Sequence, residues 1–212
     1  MGDLVLVRHG RTAFNASGRL QGRVDNPLDE EGERQAVLLA EALAPVLRAD
    51  SLIVSSPLVR ARRTAEVVAS VVGPSVTIDE RWIELDYGVL DGVAQRDVPA
   101  AVWSAWRSDP GFAPEGGESL LDVRRRVESA LTELIDATVD RDVVVVSHVS
   151  PIKAAVTAAL GADDRSTWRM HLDTASVCRL VRRERGFAVR SFNETHHLVR
   201  DRPTWGGPAT GE

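Results

Sequence analysis

The chain has 212 residues, 43% hydrophobic and 27% charged, with a formal net charge of −5. That is an ordinary globular composition, long enough for a sizeable core and without a general attraction to nucleic acid or anionic membranes. A single cysteine, Cys178, excludes an internal disulfide and a thiolate metal cluster, and fits a reducing compartment. The start Met1-Gly2-Asp3-Leu4 lacks the basic and apolar regions of a signal peptide. Leu6 stands where an N-myristoylation signal has Ser or Thr, and no apolar run is long enough to span a bilayer. The expectation is a cytoplasmic protein, monomer or homodimer, that touches neither membrane nor nucleic acid.

Leu4-Val5-Leu6-Val7 reads as a buried strand that stops abruptly at Arg8-His9-Gly10. A polar loop leads to Asp29, an N-cap followed by Glu30 and Glu31 in the first turn of a helix striped by Ala36, Leu39, Ala40, Leu43 and Leu47. Pro45 should bend or end it. Leu52-Ile53-Val54-Ser55 is a second strand, and Ser56-Pro57 predicts the N-cap and first position of a helix that Gly73-Pro74 stops. Val76-Thr77-Ile78 is a short third strand. The chain is then irregular, with a weakly helical stretch over 94–107. Ser119 predicts the cap of a helix striped by Leu120, Val123, Val127, Leu131 and Leu134. Val143-Val144-Val145-Val146 is the clearest strand, apolar at every position as suits a parallel strand covered on both faces, and it ends at Ser147-His148. A helix over 151–160 and strands over 177–182 and 187–192 complete the pattern. The β-α-β alternation predicts an α/β fold, a three-layer α/β/α sandwich with a mostly parallel sheet. Residues 1–200 would form one domain, with 82–118 inserted over the strand ends and 201–212 a flexible tail.

A lone Arg-His-Gly is equally a turn whose histidine is merely hydrogen-bonded. Two later strands ending in the same chemistry decide between these readings. Parallel strands all end on one edge of such a sheet, where ligands gather. The first strand brings Arg8 and His9 there, the second runs into a helix whose first turn holds Arg60, and the fourth brings His148. Two arginines, two imidazoles and a helix N-terminus suit a small, highly charged anion, and arginine's planar fork matches phosphate. A metal site is a poorer fit, since no acidic or thiolate third ligand ends a matching strand.

Leu6-Val7-Arg8-His9-Gly10-Arg11-Thr12, with Asn15 and Gln21-Gly22, resembles the signature of the histidine phosphatase superfamily, the phosphoglycerate-mutase-like proteins. The likeness continues in Ser56-Pro57-Leu58-Val59-Arg60-Ala61, Glu84-Leu85-Asp86-Tyr87-Gly88, Gly116-Gly117-Glu118-Ser119 and Val146-Ser147-His148, with a weaker echo at Asn193-Glu194-Thr195-His196-His197-Leu198. The resemblance implies a phosphoglycerate-mutase-like fold and metal-independent chemistry without a cofactor. His9 would be the nucleophile that forms a phosphohistidine, with Arg8, Arg60 and His148 holding the phosphoryl oxygens. Asn15, Gln21, Gly22 and Val149 are implied phosphate contacts, although Val149 stands where the family often has glycine. Glu84, in a loop with the apolar Trp82, Ile83 and Leu85, is the candidate general acid, with Asp86 its rival. Trp103, Trp106 and Phe112 would pack within the insertion or cap an apolar part of the substrate, and His171, His196 and His197 read as structural or exposed. The expected reaction is hydrolysis of a small phosphorylated metabolite by a histidine acid-type phosphatase. The alternatives are a cofactor-dependent phosphoglycerate mutase and a non-catalytic phospho-ligand binder. The short 88–118 stretch, with only Arg96 and Arg107 as cations, favours the phosphatase.

Overall fold

The computed structural model describes residues 2–199 apart from positions 74 and 185, so the tail expected to be flexible lies outside the described residues. In chain order the elements are β1 (Asp3–Arg8), α1 (Ala13–Ala16), α2 (Glu30–Leu43), β2 (Leu52–Ser55), α3 (Val59–Val72) and β3 (Val76–Ile78). They continue with α4 (Ala100–Ser108), α5 (Leu120–Ala137), β4 (Val143–Ser147), α6 (Val149–Leu160), β5 (Val177–Arg183) and β6 (Gly186–Glu194).

Alternation along the strands builds the layers. Successive side chains point to opposite faces, and on the central strands both faces are apolar. Leu4 and Leu6 of β1, with Val143 and Val145 of β4, join α5 and α6 in one core. Val5, Val7, Val144 and Val146 join α2 and α3 in the other. The result is a sheet with helices on both sides, as the sequence predicts. The strand order is β3-β2-β4-β1-β5-β6; the first four run parallel, β5 pairs antiparallel with β1, and β6 antiparallel with β5. Arg8 pairs with Ser147 and Ser55 with Val146, so β1, β4 and β2 finish level with one another. That register sets His9, His148 and the start of α3 side by side. Among the described residues, no helix is long and apolar enough to cross a membrane.

Both helices that leave these strands start elsewhere than expected. α3 begins at Val59, not at Pro57; the Ser56 hydroxyl accepts from the Leu58 N–H at 3.4 Å and lies 2.7 Å from His148 Nε2. The Val59 N–H instead donates to the Asp25 carboxylate at 2.7 Å, a cap supplied from a distant loop. α6 begins at Val149, directly after His148, two residues before Pro151. Its first N–H groups find a carboxylate from another part of the chain, described below. The 94–107 stretch divides into a 3-10 turn, Gln95–Asp97, and α4. By contrast, Asp29 and Ser119 cap α2 and α5 as predicted, with Ser119 and Asp122 in a reciprocal capping box.

Candidate active site

Gly10 allows the chain to leave β1 against the first turn of α2. A Cβ there would lie 2.5 Å from the Gly32 carbonyl oxygen, and one on Gly32 would overlap the Arg11 carbonyl. The two glycines let backbone meet backbone. The Gly10 N–H is taken by Thr64 Oγ1 of α3 at 3.1 Å.

His9, 3% exposed, has Nδ1 2.7 Å from the Gly10 carbonyl. A carbonyl oxygen can only accept, so Nδ1 carries the hydrogen and Nε2 keeps its lone pair. Burial, followed by the charges of Arg60 and Arg8, holds this imidazole well below the ordinary histidine value. His9 is therefore a neutral base with a defined tautomer. The His148 ring, fully buried, lies 5.1 Å from it between centroids, and burial with the same arginines keeps His148 neutral too.

Arg60 is fully buried and donates to the carbonyls of Val24 at 2.9 Å and Gly22 at 2.8 Å. Burial lowers its pKa to about 10, so it stays a cation at neutral pH. Arg8 donates to the Leu172 carbonyl. The segment that provides this carbonyl is pinned by Asn193, whose side chain exchanges two 2.8 Å hydrogen bonds with Asp173. The echo near the C-terminus thus supports Arg8. Among the described residues, three buried donors of the site have no partner, Arg8 Nε, Gln21 Nε2 and Arg60 Nε, and the ring nitrogen His148 Nδ1 has none either. Unpaired buried donors are costly, and an anion would satisfy them together.

A cavity of about 330 Å³ opens above His9, lined among others by Arg8, Asn15, Gln21, Glu84, Tyr87, Val149, Lys153, Trp103 and Trp168. Arg60 and His148 do not line it; both are fully buried, with His148 packed beside His9. The Thr12 hydroxyl donates to Gln21 Oε1 at 2.7 Å, and its N–H donates to Asn15 Oδ1 at 3.1 Å. Both amide NH₂ groups are left for a ligand. Gly22, an expected phosphate contact, does not line the cavity: its N–H bonds Asp91 and its carbonyl holds Arg60. Val149 lines the cavity, but its N–H is given to Glu84.

Glu84, 4% exposed, sits on the N-terminus of α6. Oε1 accepts from Leu85 N–H at 2.7 Å and Ser150 N–H at 3.1 Å, and Oε2 accepts from Val149 N–H at 3.1 Å. Its rival Asp86 accepts from Gly88 N–H and does not line the cavity. Trp106 is buried, with Phe112 edge-on at 6.1 Å, and serves packing; Trp103 instead faces the cavity, edge-on to Trp168 at 6.0 Å. His171 reaches the cavity and pairs with Asp173 at 3.0 Å. His197 bonds the Ala175 carbonyl.

Sequence reasoning missed Asp91, Lys153 and Trp168. Asp91 accepts from the N–H groups of Gly22, Arg23 and Val24 at 2.7, 2.7 and 2.8 Å, folding the loop whose carbonyls hold Arg60. Asp91→Ala is expected to loosen Arg60 and lower kcat/KM with p-nitrophenyl phosphate by about ten- to a hundredfold. Vanadate inhibition should weaken in step, and Asp91→Asn should restore part of both. A fall in melting temperature with unchanged kinetics would confine Asp91 to stability.

Residues 4–195 match the family model of the histidine phosphatase superfamily (branch 1). The chain belongs to this superfamily. Among curated relatives of this histidine phosphatase, phosphoserine phosphatase 1 of Hydrogenobacter thermophilus is 36% identical over 202 residues, 93% of this chain and 95% of that one. The glucosyl-3-phosphoglycerate phosphatase of Mycolicibacterium vanbaalenii is 42% identical over 168 residues, 74% of each chain. Among solved structures, mycobacterial glucosyl-3-phosphoglycerate phosphatase in complex with VO3 superposes with a TM-score of 0.82 at 34% identity, over 92% of this chain and 100% of that one. The histidine phosphatase fold thus carries the buried donors and the imidazole pair described above.

Proposed function

We propose that this histidine phosphatase is a phosphomonoesterase that hydrolyses a small phosphorylated metabolite through a phosphohistidine on His9. The observation that carries this reading is the neutral His9 with Nε2 unbonded, beside unpartnered donors from Arg8, Gln21 and Arg60 and the unpartnered Nδ1 of His148. Nε2 attacks phosphorus in line and the ester P–O bond breaks. Glu84, protonated, gives its proton to the departing alkoxide, so an alcohol leaves. The donors below the cavity hold the equatorial phosphoryl oxygens, with the Asn15 amide beside them. Water, deprotonated by Glu84, then attacks phosphorus, the N–P bond breaks, and inorganic phosphate leaves with His9 neutral again. In this reading residues 1–200 form one domain, and 82–118 is the insertion that supplies Trp103 to the cavity wall.

The names of the relatives support hydrolysis, and a second reading has one observation in its favour. A probable phosphoglycerate mutase of Salmonella is 34% identical over 211 residues. In that case the phosphoryl group would return to substrate rather than to water. The deciding experiment measures phosphate release from a panel of phosphomonoesters beside 3-phosphoglycerate, with and without 2,3-bisphosphoglycerate. Phosphate release without cofactor is expected; cofactor-dependent isomerisation exceeding hydrolysis would overturn the proposal, and a folded protein without turnover would make it a binder.

The neutral His9 also favours acid-type behaviour. Its pKa lies well below 6.5, so the nucleophile stays unprotonated as the pH falls through the usual histidine range. kcat/KM for p-nitrophenyl phosphate is expected to persist between about pH 7 and pH 5.5. An acid limb centred near 6.5 would show that His9 titrates as an exposed histidine.

A further inference from the structure

Lys153 lies one turn beyond Val149 on the same face of α6, and both line the cavity above His9. Its ammonium is half-buried and, among the described residues, makes no hydrogen bond or ion pair. Burial draws its pKa below the ordinary lysine value; the Glu84 charge opposes that shift and Arg8 adds to it. The other charged and titratable side chains on the cavity have partners, with Arg8 Nε kept for the phosphoryl group. Arg8 donates to Leu172, Arg19 donates to the Gly92 carbonyl, His171 is held by Asp173, and Glu84 caps α6. One partly desolvated cation is left facing the space a ligand enters, and such a charge is stabilised by an opposite one.

We propose that Lys153 receives a carboxylate of the substrate, making the substrate the phosphomonoester of a hydroxycarboxylic acid. This rests on the phosphomonoesterase reading. The ester oxygen must lie near Glu84, whose Oε2 meets the Val149 N–H. Lys153 is one helical turn further along, roughly 5.4 Å. Three bonds of about 1.5 Å set a carboxylate carbon roughly 3.7 Å from the ester oxygen, and an ammonium–carboxylate contact of about 2.8 Å covers the rest of that separation. A lone ammonium balances a carboxylate, whereas a second phosphate would leave charge uncompensated in a partly desolvated place.

The test compares matched pairs that differ by the carboxylate: 3-phosphoglycerate with glycerol 1-phosphate, and O-phosphoserine with phosphoethanolamine. Wild type is expected to favour the carboxylate-bearing member in kcat/KM by about tenfold or more, mainly through KM. Lys153→Met should bring that ratio toward one, and Lys153→Arg should keep most of it. A ratio unchanged in Lys153→Met, or equal losses on both members, would overturn the proposal. Calorimetric binding of O-phosphoserine and phosphoethanolamine to His9→Ala and to His9→Ala/Lys153→Met gives the same comparison without turnover. A binding preference lost with Lys153 in a protein that hydrolyses nothing would sink the phosphomonoesterase reading and leave the carboxylate subsite standing. Hydrolysis without a carboxylate preference would do the reverse.

Discussion

His9→Ala is expected to lower turnover of every phosphomonoester by at least about a thousandfold. The effect is large because no neighbour can substitute. His148, the imidazole next to His9, has Nε2 engaged with Ser56 and is fully buried, outside the cavity lining. Its Nδ1 is buried and unpartnered, and so is out of reach of a phosphorus in the cavity. Arg8 and Arg60 remain in place, so the variant should still bind vanadate or phosphate. The loss should therefore appear in kcat far more than in ligand affinity. Quenching wild type with denaturant during turnover of ³²P-labelled substrate should trap acid-labile label on His9, and His9→Ala should carry none. Label on another residue, or a variant still turning over at a tenth of the wild-type rate, would remove His9 as nucleophile.

The sequence shows where the catalytic strands end but not what holds their ends together. Arg8-His9 and Ser147-His148 each follow an apolar run that stops abruptly, and this local signal survives in the structure because parallel pairing levels the two ends. The layers were legible for the same reason: valine and leucine at consecutive strand positions leave no solvent face. Caps supplied within a few residues, at Asp29 and Ser119, were also legible. Those of α3 and α6 were not. The local signals there, Ser56-Pro57 and Pro151, put the helix starts two residues away from where they lie, because Asp25 and Glu84 reach the first N–H groups from distant loops. Ser56, two residues ahead of the N-cap of the helix it was expected to cap, meets both the Leu58 N–H and His148 Nε2. Asp91 and Lys153 were invisible for a related reason. One acts through three backbone N–H groups some seventy positions away in sequence, and the other differs from a surface lysine only by what α6 faces.

Glu84→Gln is expected to lower kcat/KM for alkyl phosphates by about 10²–10⁴-fold while leaving p-nitrophenyl phosphate within about tenfold of wild type. An alkoxide needs a proton as it departs, whereas p-nitrophenolate is stable without one. The comparison must use kcat/KM, which covers steps up to breakage of the ester bond. Hydrolysis of the phosphohistidine also draws on Glu84, so kcat can fall with either substrate, and a burst of p-nitrophenol should then precede slow turnover. The structure adds a second consequence. Both Glu84 oxygens accept backbone N–H groups, and glutamine keeps only one acceptor. If its carbonyl stays with Leu85 and Ser150, its NH₂ faces the Val149 N–H, donor against donor. The start of α6 should lose about 1–3 kcal/mol, read as a lower melting temperature. That cost acts on all substrates alike, so the ratio between leaving groups isolates proton donation from the cap. Equal losses on both substrates would leave Glu84 as the cap of α6 and would require the proton to come from another group. Asp86→Asn, altering a side chain outside the cavity, should leave the ratio near its wild-type value.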